Sequence, residues 1–178
     1  MSLQALTDDK HTEAQHTPFM QAVVDQKLPD ALWTDYQYQR YIIYSALERV
    51  ARDAGIMADL PGLERAQKLY QDVKERCHGD WPAPRPEAVA YSQYLESLAG
   101  KKEAITAHVY TLHMGDLSGG QEIKNLIPGR HHSLEFDDVD GLKAKIRLLV
   151  NDSMAQESRT AFDWIIRLLT RYNEHLAA

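Results

Sequence analysis

The segment TLHMGDLSGGQ places three glycines and two small polar residues in a stretch whose flanks are predicted to be helical. Gly costs roughly 1 kcal/mol relative to Ala inside a helix, so Gly115, Gly119 and Gly120 together cost about 3 kcal/mol if the helix continues through them. Gly115 and Gly119 are four residues apart, and on one helix they would share a face of bare backbone. A large flat ligand could lie against this face, with Asp116 and Ser118 supplying polar groups beside it.

The same glycine spacing is also typical of two structural arrangements that involve no ligand. A close helix crossing uses missing Cβ atoms, because two backbones can then approach each other, and an early helix end would place glycines similarly. A phosphate-binding loop fits poorly, because that pattern has a strand before the glycines and a Lys-Ser/Thr pair after them. The spacing therefore predicts that another group packs closely against the glycine backbone, and it leaves open whether that group is a ligand or another helix.

The elements that position these residues are predicted to be helices, since apolar residues recur with helical spacing and no stretch alternates as a strand does. We expect an all-α fold of about eight helices in one domain over residues 1–178. A first helix should end near Thr17, where Thr-Pro can cap and start a second helix. Asp30 should open a long helix that stops at Gly55, and the sequence from Ser153 resembles a capping box for the last helix.

Charge and composition restrict the partners. The formal net charge of -6 argues against nucleic acid or anionic lipid, because both favour a basic surface. Cys77 is the single cysteine, so neither an internal disulfide nor a cysteine zinc site is expected. The N-terminal sequence lacks the apolar core of a signal peptide, and the C-terminal RYNEHLAA lacks a hydrophobic tail. We therefore expect a cytoplasmic protein with no membrane anchor and no nucleic-acid partner.

Four segments together resemble the biliverdin-producing heme oxygenases, in particular the soluble bacterial, cyanobacterial and phage-borne members. HVYTLHMGDLSGGQEIK is similar to the signature helix of that family, and the GDLSGGQ heptad is specific to it. KHTEAQHTPFM resembles the family's N-terminal segment, YIIYSALE its tyrosine-bearing helix, and KAKIRLLVN its propionate-binding helix. The four matches occur in the family's order and span most of the chain.

The resemblance implies that heme b lies between the first helix and the glycine-bearing distal helix. His11 would be the axial ligand of the heme iron, since it matches the family's proximal histidine. The three glycines would let the distal backbone approach the porphyrin, with Ser118 beside it. Burial of the porphyrin would then offset the weak helix propensity of this segment.

The resemblance also assigns catalytic roles. Asp116 would organise catalysis, because the family aspartate at this position anchors ordered water beside the oxygen that heme activates. Tyr44 and Tyr41 match the family tyrosines that extend the water network, and Tyr44 is the more direct partner of the two. For Tyr41 an ordinary role as a packed aromatic is an equal alternative.

Three residues are implied to hold the heme propionates. Lys143 and Arg147 lie four residues apart in the propionate-binding match, a spacing that presents two cations on one helix face. Tyr110 aligns with a family tyrosine whose hydroxyl reaches a propionate. Gln4 stands where many members carry a Lys, so one propionate contact is expected to be missing.

Several positions depart from the family pattern. Gln15 replaces a Glu that accepts a hydrogen bond from the proximal histidine in many members, and a neutral amide should push less electron density to iron. Leu112 and His113 stand where many members have Arg and Tyr. We expect His113 to be a packing residue, with a hydrogen bond to the aspartate of the heptad as the alternative. His131 and His132 lack the spacing of a metal site and are expected to be solvated.

The predicted activity is oxidative cleavage of protoheme at a meso carbon, the alpha carbon by the resemblance, to biliverdin, carbon monoxide and ferrous iron. Heme is both substrate and cofactor, dioxygen is consumed, and electrons come from outside, with reduced ferredoxin as the implied donor. A bilin reductase is a candidate downstream partner. Two alternatives remain: a heme sensor or storage protein without turnover, and a helical interaction protein that binds no heme.

Overall fold

The computed structural model describes residues 2–176, a range that is helical and contains no strand. The expected all-α class is confirmed, while the ends of the expected domain, residues 1 and 177–178, lie outside the described range. The described chain forms ten α-helices: α1 Leu3–Gln15, α2 Pro18–Val24, α3 Asp30–Asp53, α4 Ala66–Arg76, α5 Pro86–Ser97, α6 Lys102–Leu117, α7 Gly119–Leu126, α8 Val139–Leu149, α9 Ala155–Arg171 and α10 Asn173–Leu176. The number exceeds eight because the glycine-bearing segment forms two helices and α10 follows α9.

Some helix ends follow local sequence signals. The Thr17 hydroxyl accepts a hydrogen bond from the amide of Met20 at 3.3 Å and caps α2, as Thr-Pro predicts. The chain leaves α3 through Gly55, which has a left-handed φ of +78°. The predicted capping box at Ser153 is wrong, because a 3-10 turn over Asp152–Met154 precedes α9 and the Ser153 hydroxyl bonds elsewhere.

The hydrophobic core surrounds α3, which packs against α4, α5 and α6. Helix α9 closes the other side of α6 and also contacts α5. Fully buried side chains from five helices fill the space between them: Leu47, Leu69, Leu95, Ile105 and Leu168. Each such side chain contributes about 1.5–3 kcal/mol on burial. The packing fixes α3 beside α6, which carries most of the signature segment.

Helix α1 meets α6 near its beginning and then follows α9. Leu3 forms a small apolar cluster with Ala107 of α6 and with Met154. Further along α1, Asp9 accepts two hydrogen bonds from Arg159 of α9, at 2.6 and 2.9 Å. The second half of α1 is therefore held against α9. Among residues 2–176, no helix has both the length and the apolar character needed to span a membrane.

Candidate functional site

The glycine-bearing segment is broken at Ser118, whose backbone angles of φ -113° and ψ -92° are not helical. Gly115 lies near the end of α6 and Gly119 begins α7. The two glycines therefore do not share one face of a single helix, as the spacing predicted, but lie at the adjoining ends of two helices. Both glycines are exposed, and a Cβ atom built on either meets no described atom within 4 Å. Within residues 2–176 no helix crosses them closely, which removes helix crossing as the reason for these two glycines.

Gly120 has a different environment from the other two glycines. It is buried, and a Cβ atom there would lie 2.9 Å from Cδ2 of Leu134 and 3.3 Å from the carbonyl oxygen of Gly115. Those distances are shorter than ordinary van der Waals contacts. The absence of a side chain at Gly120 therefore lets α7 pack closely on the segment that carries Leu134, and the expected strip of three open glycines is reduced to two.

Asp116 lies at the centre of a buried polar group formed by α3 and α6. Its side chain is only 6% exposed, and its Oδ1 forms an ion pair with Nη2 of Arg40. The Tyr44 hydroxyl donates to Oδ2 of Asp116 at 2.7 Å and accepts a hydrogen bond from Arg40 at 3.2 Å. The structure thus brings Asp116 and Tyr44 together as expected, and it adds Arg40, which the sequence reasoning missed.

Burial controls the ionisation of this group. Burial raises the pKa of Tyr44 well above its ordinary value, and the Asp116 carboxylate raises it further, so the phenol stays protonated as a donor. Burial disfavours the charge of Arg40, but the carboxylate of Asp116 together with Tyr44 and Tyr36 outweighs that effect and raises the pKa of Arg40. Arg40 therefore keeps its positive charge in contact with the Asp116 carboxylate.

Tyr41 lies apart from this group. Its ring centroid is 5.6 Å from that of Tyr70 and 6.3 Å from that of Tyr38, in an aromatic cluster that includes Trp81. Within residues 2–176, no hydrogen bond or ring contact joins Tyr41 to Asp116. The structure does not bring Tyr41 into contact with Asp116, and its ring contacts favour the packing alternative, while a role for Tyr41 in the water network stays a prediction.

His113 is a packing residue with a strong polar partner. It is buried, its ring centroid lies 4.9 Å from that of Tyr44, and its Nε2 is 2.8 Å from a carboxylate oxygen of Glu48. Its Nδ1 donates to the carbonyl oxygen of Val109 at 3.2 Å. The alternative hydrogen bond to Asp116 is not formed between these two described residues. His113 instead ties α6 to Glu48 of α3, which also caps the start of α4 with two backbone contacts.

The expected solvation of His131 and His132 is wrong. Both side chains are buried, His131 donates from Nε2 to the carbonyl oxygen of Ile127 at 2.8 Å, and His132 lies 2.9 Å from Glu75. Burial lowers the pKa of His131 below its ordinary value. The loop folds back onto α4, so a carboxylate that is distant in sequence becomes a neighbour of His132.

His11 projects from the part of α1 that lies along α9. It is exposed, its ring centroid is 6.1 Å from that of Phe162, and no described residue forms a hydrogen bond with its ring. Gln15 and His16 are exposed at the end of α1, and in the described chain neither contacts the His11 ring. The imidazole is therefore available to an external partner such as iron.

Tyr110 and Arg147 lie near one another on α6 and α8. Burial raises the pKa of the half-buried Tyr110, and the charge of Arg147 opposes part of this shift. Neither Arg147 nor Lys143 has a carboxylate ion-pair partner in the described part of the chain, so both cations are free for an anion. Gln4 is exposed, and no described contact involves its side chain.

These features fit a heme. Within residues 2–176, the imidazole of His11 has no hydrogen-bond partner, two glycines are open, and Tyr110 lies near Arg147, which has no carboxylate partner. These groups can supply the iron ligand, the backbone surface and the propionate contacts of a heme. The buried Asp116 is next to the open Gly115 in α6. The described chain therefore offers each kind of contact that a bound heme needs.

Comparison with known proteins gives consistent similarities. A family model described as heme oxygenase matches residues 1–162. Heme oxygenase 2 of Synechocystis sp. is 34% identical over 130 residues, which is 68% of this chain and 52% of that protein. The crystal structure of heme oxygenase-2 from Synechocystis sp. PCC 6803 in complex with heme and NO has a TM-score of 0.87 at 26% identity, covering 98% of this chain and 84% of that one.

A second structure extends the likeness of fold. The crystal structure of heme oxygenase-1 from Synechocystis sp. PCC6803 in complex with heme gives a TM-score of 0.86 at 24% identity, over 98% of this chain and 91% of that one. The chain spans about half the length of several curated relatives that it matches, including 53% of heme oxygenase 1 of Gallus gallus.

Proposed function

This chain belongs to the heme oxygenase family, and we propose that it cleaves protoheme at a meso carbon, the alpha carbon, to biliverdin, carbon monoxide and ferrous iron. The observation that carries the proposal is the buried Asp116, held by Tyr44 and Arg40 beside the open backbone of Gly115. Heme is the substrate, and its iron also activates the dioxygen that is consumed.

The chain binds its substrate from two sides. His11 of α1 would hold the iron through an imidazole nitrogen, and the open glycines of α6 and α7, with Ser118 beside them, would supply a backbone surface for the porphyrin. Arg147 and Lys143 pair with the propionates, and the Tyr110 hydroxyl donates to one of them. Because Gln15 of the described chain makes no contact with the His11 ring, the imidazole is oriented by the iron and by its packing near Phe162.

Asp116 acts on water. Its two oxygens accept one hydrogen bond each from Arg40 and Tyr44, and a carboxylate has about four lone-pair sites, so acceptor capacity remains for water. The carboxylate is fixed by two donors and cannot rotate freely, which fixes the bound water as well. Water held by this carboxylate would supply the hydrogen bond that favours oxidation of the porphyrin edge over release of reduced oxygen.

The electrons come from an external protein, which we propose to be reduced ferredoxin. The proposal is supported by Lys124 of α7, a cation without a carboxylate partner among the described residues, which an acidic donor would approach. A cytoplasmic location fits the free thiol of Cys77, and a bilin reductase would consume the product. We treat residues 1–178 as one heme oxygenase-like domain, since the main core cluster runs from α2 to α9.

Reconstituted turnover tests the activity. The protein is mixed with hemin, its Soret band is recorded, and ferredoxin with its reductase and NADPH is added under air. Bilin absorbance and carbon monoxide should replace the Soret band. In Asp116→Ala the Soret band should persist, with biliverdin yield reduced about 100-fold, as when a group that organises the transition state is removed. A stable Soret band in the wild type would instead indicate a heme sensor or storage protein, and absence of the band a protein that does not bind heme.

Replacement of His11 tests the proposed iron ligand. His11→Ala should give a ferric heme complex with a water-ligated spectrum, and added imidazole should restore the histidine-ligated spectrum. His16→Ala is the matched control, because His16 is exposed near the same helix end and should leave the spectrum unchanged. An unaltered spectrum in His11→Ala would exclude His11 as the ligand.

A further inference from the structure

Arg40 is a buried arginine that α3 holds in one position. It is 7% exposed, its Nη1 donates to Oε1 of Gln37 at 2.7 Å, and its guanidinium lies 5.1 Å from the ring centroid of Tyr44. Its Nη2 reaches both the Tyr44 hydroxyl and Oδ1 of Asp116. A guanidinium with this many fixed partners has little freedom to follow a moving carboxylate, so the carboxylate must conform to it.

No other described cation contacts Asp116. The charge of Asp116 acts on Arg65 at a distance, but the guanidinium of Arg65 donates to backbone carbonyls of its own loop and of the segment near Glu135. Leu112, one helical turn before Asp116 on α6, is apolar and buried. The positive partner of the catalytic carboxylate is therefore a residue of α3 that lies 76 positions before Asp116 in the sequence.

We propose that Arg40 is the positioning residue for Asp116, an inference that rests on the proposed function. A buried carboxylate without a counter-charge has a large desolvation penalty and would rotate or lose its charge. Arg40 fixes Oδ1 while Tyr44 fixes Oδ2, so the plane of the carboxylate is set by two donors from a single helix face. Arg40 thereby controls where Asp116 holds water, and with it the fraction of electrons that produce bilin.

Arg40→Leu tests this role in the full-length chain loaded with hemin. Heme affinity should change less than about threefold, because Arg40 is not among the proposed heme contacts. Biliverdin formed per NADPH should fall about 10- to 100-fold, the usual range for loss of an orienting partner, with hydrogen peroxide released instead. Arg49→Leu is the matched control, since Arg49 lies on the same helix and pairs with Glu96 at the surface.

Rescue separates positioning from general damage. An Arg four residues before an Asp on one helix can pair with it, so Leu112→Arg should restore much of the bilin yield of Arg40→Leu from within α6. Arg40→Lys retains the charge but cannot reach Gln37, Tyr44 and Asp116 together, so its yield should fall several-fold. A wild-type yield in Arg40→Leu or in Arg40→Lys would overturn the inference, and so would a loss that Leu112→Arg leaves unrepaired.

A readout without turnover completes the test. The carboxyl carbon of Asp116 is observed by 13C NMR in heme-free protein with labelled aspartate, and its signal is identified by its loss in Asp116→Ala. Arg40→Leu should move this signal by more than the Arg49→Leu control does, and Leu112→Arg should move it back. If the Asp116 signal does not move in Arg40→Leu, the inference about Arg40 is overturned. If the wild type forms no bilin, the proposed function is overturned, and the NMR signal still measures whether Arg40 positions Asp116.

Discussion

Gly115 lowers the stability of α6 because glycine is a poor helix former, and it leaves open space where a side chain would stand. It occupies a helical position in α6, yet a Cβ atom there would meet no described atom within 4 Å. The described structure therefore gives no reason to exclude a side chain at this position. A ligand that approaches the backbone would supply the reason.

Gly115→Ala is predicted to have opposite effects on the empty and the loaded protein. Without heme, the free energy of unfolding should rise by up to about 1 kcal/mol, because Ala is the better helix former and has room. Heme affinity should fall at least several-fold, because the new methyl group occupies the porphyrin side of α6. Urea unfolding and hemin titration measure the two effects. Gln71→Ala, at an exposed position of α4, is the control and should leave heme affinity unchanged.

At the level of elements, the break at Ser118 makes the distal segment a weak part of the helical framework. Helix α7 has only eight residues, Gly119–Leu126, and it is joined to α6 through a residue with non-helical backbone angles. Short helices in water have little stability of their own, so the segment depends on what packs against it. Among the described residues, none packs against the positions where Gly115 and Gly119 would carry a Cβ atom.

Amide exchange should therefore report heme binding at this element. Residues 115–120 are predicted to exchange faster in the empty protein and to slow on addition of hemin, because the ligand supplies the missing contacts. The buried part of α3 around Leu47 should slow only by the rise in global stability that hemin causes, which is a smaller relative change than at residues 115–120. Equal protection of residues 115–120 with and without hemin would contradict the proposed location of the ligand.

A hydrogen-bonded group around the carboxylate of Glu157 joins helices α5, α6 and α9. The ring of His108 lies 2.6 Å from the Tyr91 hydroxyl and 2.9 Å from Glu157, which also accepts a hydrogen bond from Tyr94. The hydrogen bond from His108 holds the pKa of Glu157 below its ordinary value of 4.5, with burial opposing and Tyr94 adding to the effect. The three helices are thus held together by an ionised Glu157.

The sign of this shift predicts an acid-dependent loss of stability. Because the folded pKa of Glu157 is lowered, its contribution is complete above the ordinary value of 4.5 and is lost as the pH falls through the folded pKa. Glu157→Gln should lower the free energy of unfolding by about 1–3 kcal/mol at pH 7. The gap to wild type should shrink in urea unfolding below pH 4.5. Glu122→Gln, an exposed control, should show no such gap.

For the whole molecule, heme is expected to act as part of the fold. Helix α1 reaches the rest of the chain chiefly through α9, and a bound heme would join it to α6, α7 and α8. A ligand that binds only the folded state adds stability that grows with its concentration, about 2.7 kcal/mol at one hundred times Kd. The loaded protein should therefore unfold as a more stable unit than the empty one.

Unfolding with increasing hemin measures this coupling. The free energy of unfolding should rise with hemin concentration, and Arg147→Ala should reduce the rise by about 1.4 kcal/mol for each tenfold loss of affinity. Lys145→Ala is the control, because Lys145 is exposed on the same helix two residues from Arg147. Equal stabilisation of Arg147→Ala and wild type would remove Arg147 from the proposed heme contacts.

The sequence alone indicated the class of fold, a few helix boundaries and the family. Thr17 and Gly55 act on their immediate neighbours, and such short-range effects are visible in a linear chain. The candidate roles of His11 and Asp116 followed from motifs within single helices, and they remain predictions that the described geometry supports.

Tertiary structure decided everything that depends on which helix faces meet. The contact of Arg40 with Asp116 joins residues far apart in the chain, Gly120 proved to be a packing position against Leu134, and His132 acquired Glu75 as a neighbour. No local pattern predicts these pairs, because helix propensity fixes where each helix lies in the sequence but not how it is rotated against another. That rotation is set by burial of the core side chains between α3, α4 and α6, and it places the charged residues together as a consequence.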